Sequence, residues 1–215
     1  MSVASEVAEI TLRSLAVSGT ATLLASTWSI PLAYLLARPG RLRSTAASII
    51  EALVGIPTVL LGLALYMVFS RSGPLGFLQL LYTVKAIVIG QSILVTPLIT
   101  ATAYRVLRSA RESYEEMALA LGAGGLQAMA ITLREALPGI ASSVIMGFSR
   151  AIGELGVALM LGGNIRGATR VLTTAIALSV SMGEYELALS LGGVLVAIAV
   201  LVAVAVRLLG RVQGP

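Results

Sequence analysis

The chain has 215 residues, of which 57% are apolar and only 12% charged, with a net charge of +5 and a mean hydropathy of +0.96. Soluble domains carry about 25% charged residues, so this composition excludes a disordered chain and indicates a membrane protein. Cysteine and histidine are absent, which excludes disulfide bridges, thiolate or imidazole metal sites and histidine-dependent catalytic triads. The only lysine, Lys85, is followed by alanine, so the chain has no lysine-containing phosphate-binding loop for nucleotide hydrolysis.

Five segments are long and apolar enough to cross a hydrocarbon layer of about 30 Å. They run over residues 15–37, 52–70, 86–104, 138–161 and 187–206. A shorter apolar stretch, Val171 to Val180, predicts a helix that lies at, or dips into, the membrane interface. The sequence therefore predicts an all-α integral membrane protein, with residues 1–215 forming a single transmembrane domain of five helices.

The N-terminal segment contains Glu6 and Glu9 and has no basic region, so we expect no cleaved signal peptide. Instead, we expect the segment from Val3 to Arg13 to begin an interfacial helix that runs into the first span.

The basic residues predict how the chain is oriented. Nine of them lie in the loops after the first and third predicted spans or at the C-terminus: Arg38, Arg41, Arg43, Arg105, Arg108, Arg111, Arg134, Arg207 and Arg211. Five lie on the opposite side: Arg13, Arg71, Lys85, Arg166 and Arg170. Because cytoplasmic loops carry the excess of basic residues, we expect the N-terminus outside the cell membrane and the C-terminus in the cytoplasm. The basic residues are scattered between apolar runs, so we expect no nucleic-acid partner.

The longest polar segment, residues 105–137, lies between the third and fourth predicted spans. Arg111 to Leu121 predicts a helix, because three glutamates come early in it, where they suit the positive helix end. Gly122 is expected to end this helix, and a second helical stretch, Leu126 to Ala136, leads back to the membrane at Pro138. Two interpretations remain open: an amphipathic linker that rests on lipid headgroups, or a helix that docks into a groove of a soluble partner.

Two charged residues, Arg150 and Glu154, stand inside the fourth predicted span. They are four positions apart, which places them on one face of a helix. Either charge facing lipid would cost about 2.5–3.5 kcal/mol, so both should face protein or water. A structural ion pair is the favoured interpretation, and contact with a transported anion is the alternative.

Pro57 interrupts the second predicted span and lies between Gly55 and Thr58. A proline removes one backbone hydrogen bond and kinks a helix. We interpret Gly55, Pro57 and Thr58 as a candidate gate or pathway element, with packing curvature as the alternative.

Residues 116–122 carry a family resemblance. Glu116, Met117 and Ala118, followed after three residues by Gly122 and later by Leu137-Pro138, resemble the EAA motif of ABC-importer permeases, with methionine replacing the usual alanine. Further stretches are similar to the tungstate-type branch of the oxyanion permeases: residues 55–63, 70–76, 150–156, 162–165 and 169–176.

The resemblance implies the fold of type I ABC importer permeases, shared with molybdate and maltose permeases, and tungstate or molybdate as cargo. It implies a homodimer, two cytoplasmic ATPase subunits that hold ATP and magnesium, and an extracellular binding protein that delivers the oxyanion. The chain itself would be a transport subunit and not an enzyme, with no catalytic residue, metal or cofactor of its own.

The resemblance also implies that Glu116, Met117, Ala118 and Gly122 contact the ATPase: Glu116 as a polar anchor, Ala118 as a small contact and Gly122 as the turn. An importer of sulfate or another anion, an ion-coupled secondary transporter and a structural membrane scaffold remain alternatives.

Overall fold

A computed structural model describes residues 3–211, and this range contains nine α-helices and no strand. The helices are α1 (Val3–Leu36), α2 (Arg41–Leu53), α3 (Thr58–Phe69), α4 (Val84–Ala110), α5 (Glu116–Ala120), α6 (Gly125–Ile152), α7 (Gly156–Gly162), α8 (Leu172–Ser181) and α9 (Tyr185–Arg211). A 3₁₀ turn at Gly76–Leu78 precedes α4, and a π-helical turn at Arg111–Glu115 joins α4 to α5.

Four helical segments of the described range are long and apolar enough to cross a membrane, and the bent pair α2–α3 would make five. These segments are Ala4–Leu36, Val84–Ala120, Gly125–Ile152 and Tyr185–Leu208. The all-α membrane fold predicted from the sequence is therefore confirmed.

Helix α1 is about 50 Å long at 1.5 Å per residue and packs against both α4 and α6. Its buried residues mark four successive levels of the bundle. Ile10 packs with Leu172 and Leu191, Val17 with Ile87 and Ala158, Ala25 with Val95 and Ala151, and Ala33 with Ala103 and Ala136. The level of Ala25 and Ala151 lies well inside the bundle, away from both of its ends.

Two predicted helices are confirmed. The helix predicted to begin at Val3 and run into the first span is one continuous helix, α1. The short helix predicted over residues 171–180 is α8, which begins one residue later. Both predictions depended on local patterns of apolar residues. At these two helices, packing against neighbouring helices does not override the local preference.

The span predicted over residues 52–70, with Pro57 inside it, is not a single helix in the structure. Ala52 and Leu53 end α2, α3 starts at Thr58, and the two helices are bent by 98°. Pro57 has no amide hydrogen and disfavours a helical conformation at the residue before it, so the bend occurs there. Helix α2 was not predicted; it packs on α4 through its small apolar face around Ala47.

The fourth predicted span, residues 138–161, also differs from the structure. Helix α6 starts at Gly125, continues through Pro138 and ends at Ile152, while α7 is a separate helix. Pro138 removes only one hydrogen bond from a helix that packs along α4, so it does not end the helix. The break instead comes at residues 153–155, where new hydrogen-bond partners start α7.

Candidate functional sites at the Gly122 turn and the central helix breaks

The chain reverses direction at Gly122, directly after α5. Gly122 has a φ of +87°, a left-handed conformation that strains any residue with a Cβ. The amide of Ala123 donates to the carbonyl oxygen of Ala118 and the amide of Gly122 donates to that of Leu119, each at 3.0 Å. These are the two hydrogen bonds of a Schellman C-cap, and they confirm the helix end predicted at Gly122.

The residues around this reversal, 116–126, form what we call the Gly122 turn. Its tip is apolar and exposed: Met117 is 56% exposed, Leu121 82% and Leu126 79%. Glu116 is exposed beside them, whereas Ala118 is buried against the body of the bundle. Exposed apolar side chains grouped at a helix tip are typical of an interaction surface, and a short helix is suited to filling a groove.

A largely buried ion pair connects the Gly122 turn to two long helices. Arg111 Nη2 donates to Glu115 Oε1 at 2.8 Å. The Thr132 hydroxyl of α6, whose shorter hydrogen bond goes to the carbonyl oxygen of Ala128 at 3.0 Å, lies 3.4 Å from the other oxygen of Glu115. The Arg111 guanidinium also lies 5.8 Å from the ring centre of Tyr34 in α1, which Arg38 approaches to 5.6 Å. Sequence reasoning missed this cluster, since only the four-residue spacing of Arg111 and Glu115 is visible locally.

A second site lies deep in the bundle, where α6 ends at Ile152. The end of a helix leaves carbonyl oxygens without partners within the helix. Gln91 of α4, which is buried, donates from Nε2 to the carbonyl oxygen of Ala151 at 3.0 Å. Ser18 of α1 in turn donates to Gln91 Oε1 at 3.2 Å. Two other helices, α4 and α1, therefore stabilise the break in α6, and sequence reasoning did not identify Gln91.

The predicted ion pair spans this break. Arg150 Nη1 donates to Glu154 Oε2 at 2.7 Å, so the two charges are paired. The prediction that both share one helix face is wrong, because Glu154 lies beyond the end of α6. Its other oxygen accepts the amide of Val157 at 3.1 Å and so stabilises the first turn of α7. The Glu154 side chain is 2% exposed, whereas that of Arg150 is 39% exposed.

The start of α3 lies against the start of α7. A Cβ placed on Gly156 would lie 2.9 Å from Thr58 Oγ1 and 3.1 Å from the amide nitrogen of Val59. Only a glycine allows this approach. Thr58 therefore lies against Gly156, which follows Glu154 by two residues. The sequence analysis had predicted Thr58 and Glu154 as parts of separate sites.

Gly55 and Pro57 lie exposed at the α2–α3 bend, next to Thr58. We call the ends of α2 and α6 and the starts of α3 and α7 the helix-break site. Broken helices inside a membrane bundle occur where the backbone is buried in protein or lines a water-filled cavity. Within residues 3–211, no group of three or more acidic side chains could hold a metal ion.

Comparison with known proteins shows one family and several similar permeases. The family model described as binding-protein-dependent transport system inner membrane component matches residues 29–213. The chain is 42% identical to the tungstate uptake system permease protein TupB of Peptoclostridium acidaminophilum, over 85% of this chain and 80% of that protein. It is 34% identical to a probable anion ABC transporter permease protein of Haloferax volcanii, over 88% and 84% of the two chains. It is 32% identical to the molybdenum transport system permease protein ModB of Mycobacterium tuberculosis, over 91% of this chain and 78% of that protein.

Proposed function

Because the chain belongs to the family of binding-protein-dependent transport system inner membrane components, we propose that it is the permease subunit of an ATP-driven importer of tungstate or molybdate. The observation that carries the cargo assignment is the 42% identity to a permease named for tungstate uptake. The lower identity of 32% to a permease named for molybdenum transport supports tungstate as the first cargo to test and molybdate as the second. The chain is a multi-pass membrane transport subunit, and ATP and magnesium would be held by a partner ATPase.

The Gly122 turn is the proposed contact with this ATPase. Met117 and Leu121 would fill an apolar groove of the partner, with Glu116 as the polar anchor beside them. Gly122 would hold the tip in its sharp reversal. Ala118 would act differently from the sequence-based expectation, because it is buried and supports the turn from behind.

The proposed orientation places the Gly122 turn in the cytoplasm and the start of α1 outside. The greater number of arginines at the end of the bundle that carries the Gly122 turn supports this orientation. The proposed complex contains two copies of this chain, two ATPase subunits and an external binding protein. The half-exposed guanidinium of Arg150 supports a second copy or a water path on that face, because lipid would not accommodate the charge.

In the proposed cycle, ATP binding closes the ATPase pair and draws two Gly122 turns together. The Arg111–Glu115 pair would pass this movement to α6 through Thr132 and to α1 through Tyr34. Helix α3 would then pivot at the bend formed by Gly55 and Pro57. ATP hydrolysis would release the turns and reset the helices.

Uptake by proteoliposomes tests the function. The permease is reconstituted with its ATPase and binding protein, and uptake of tungstate, molybdate and sulfate is compared. We expect uptake to require ATP and the binding protein, with tungstate or molybdate preferred over sulfate. Uptake driven by an ion gradient without ATP would instead indicate a secondary transporter, and ATP-dependent uptake of sulfate alone would indicate a sulfate importer.

Co-purification with the ATPase tests the proposed contact. Leu121→Asp places a charge at the tip of the turn and is expected to abolish co-purification. The matched control is Leu42→Asp, since Leu42 is an 87% exposed leucine near the start of α2, at the same end of the bundle. Equal loss in both variants would contradict a specific role of the turn.

A further inference from the structure

Arg150 has hydrogen-bond donors that the protein does not use. Within the described part of the chain, its guanidinium makes one hydrogen bond, from Nη1 to Glu154. The side chain is 39% exposed, and no Arg150 nitrogen is among the buried side-chain atoms of the described residues that have no hydrogen-bond partner, so Nε and Nη2 are accessible. An arginine presents five N–H donors in a planar fork, so at least three remain available.

Glu154 cannot offer the same exposed surface. It is buried, and its two oxygens accept hydrogen bonds from Arg150 and from the amide of Val157. The accessible side of the pair therefore presents only donors. The carboxylate behind it lowers the positive potential without blocking the free N–H groups.

The surface around Arg150 differs from a surface that faces lipid. Between Gly193 and Val204, the exposed residues of α9 are glycine or aliphatic residues, among them Val196, Val200, Leu201 and Val204. The face of α6 that carries Arg150 also presents Ser142, Met146 and Ser149, and Gly153 follows the end of the helix; all four are partly or fully exposed. Because a guanidinium in lipid is costly, this face of α6 is expected to meet water or protein.

We propose that Arg150 is a transient contact for the transported oxyanion. The free N–H groups would donate to two oxygens of a tetrahedral dianion, the paired geometry that arginine offers to oxyanions. Glu154 would hold the guanidinium in place and keep the contact weak, so that the anion is released and not trapped. This inference rests on the proposed function and names a cargo-binding residue for it.

The absence of cysteine allows a direct chemical test. The variant Arg150→Cys/Glu154→Gln leaves no unpaired buried carboxylate and introduces one thiol. In the reconstituted complex, with partner cysteines blocked, we expect this thiol to react with water-soluble methanethiosulfonates. The aminoethyl reagent, which restores a cation, should recover tungstate uptake, whereas the sulfonatoethyl reagent should not. The control Val196→Cys, on the aliphatic face of α9, should stay unreactive and transport normally.

Three outcomes would overturn the inference: a thiol that does not react, equal recovery with both reagents, or wild-type uptake by the charge-free variant Arg150→Gln/Glu154→Gln. The last outcome would make the pair purely structural.

A second variant tests the inference in case the double variant does not assemble into the complex. Arg150→Lys keeps the charge and the ion pair but loses the paired donors. Its maximal uptake rate is expected to fall about tenfold, the equivalent of one charged hydrogen bond, while ATP hydrolysis stimulated by the binding protein is unchanged. A wild-type rate would overturn the inference. If the wild-type complex takes up no oxyanion, the proposed function is overturned as well. If the wild-type complex takes up oxyanion and substitutions of Arg150 do not change the rate, only this inference is overturned.

Discussion

Gly62 of α3 lies directly against Gly156 of α7. A Cβ placed on Gly62 would lie 3.3 Å from the carbonyl oxygen of Gly156 and 3.2 Å from Met160 Cβ. The two short helices therefore approach closely at these glycines, where Met160, Thr58 and Val59 leave no room for a further side chain. Since Glu154 stabilises the first turn of α7, the position of α3 depends on the break that ends α6.

Gly156→Ala is expected to separate these helices. The added methyl group would meet Thr58 Oγ1 and the backbone of Val59, so we expect a loss of about 1–3 kcal/mol in the free energy of unfolding, as for other overpacked sites. Thermal unfolding of the purified complex measures it. The control Gly192→Ala lies in α9 with no atom within 4 Å of the new Cβ and should unfold at or slightly above the wild-type temperature. Equal unfolding temperatures for both variants would contradict the close contact.

Gly122→Ala tests the conformation of the turn. The added Cβ would meet no atom within 4 Å, so any effect comes from the φ of +87°, which costs an alanine about 1–2 kcal/mol. We expect weaker association with the ATPase, measured by titration of the purified subunits. Gly125→Ala is the matched control, because its Cβ is equally unobstructed and the residue is helical. A loss of association in Gly125→Ala alone would refute the argument.

Arg111→Gln should destabilise the protein more than Arg108→Gln. Both arginines pair with a glutamate four residues later, but the side chains of Arg111 and Glu115 are 17% and 14% exposed, against 55% and 62% for Arg108 and Glu112. An exposed pair contributes at most about 1 kcal/mol, whereas breaking a largely buried pair leaves a charge without a partner and costs roughly 2–3 kcal/mol. Unfolding by a chemical denaturant measures the free energy of unfolding of both variants. The double variant Arg111→Gln/Glu115→Gln should recover part of the free energy of unfolding that Arg111→Gln loses. If it recovers none, the unpaired charge is not the source of that loss.

Pro57→Ala is expected to slow uptake. Alanine restores an amide hydrogen and permits helical conformation at Ile56, so the 98° bend between α2 and α3 becomes less favourable. Pro31→Ala is the control, because α1 continues through Pro31 without a break. The initial rate of tungstate uptake at saturating ATP measures the effect. If both variants transported at the wild-type rate, the bend would have no role in transport.

Helix ends were predictable where one residue controls the backbone. Gly122 ends α5 through its own left-handed φ, and Pro57 marks the bend before α3. Pro138 shows the limit of such rules, because α6 continues through it. There the packing of α6 along α4 outweighs the loss of one hydrogen bond. A proline or glycine therefore predicts a local preference, and the neighbouring helices decide the result.

The sequence by itself determined the membrane class, the long helices α1, α4 and α9, the turn at Gly122 and the presence of two charges near residue 150. Each of these follows from the length of an apolar run or from the chemistry of one residue. Only the tertiary structure decided that α6 breaks at residues 153–155, that Gln91 stabilises the break, and that Thr58 and Glu154 belong to one site. The last two features depend on contacts between segments that are 60 or more residues apart, such as Gln91 and Ala151, and no local pattern carries that information.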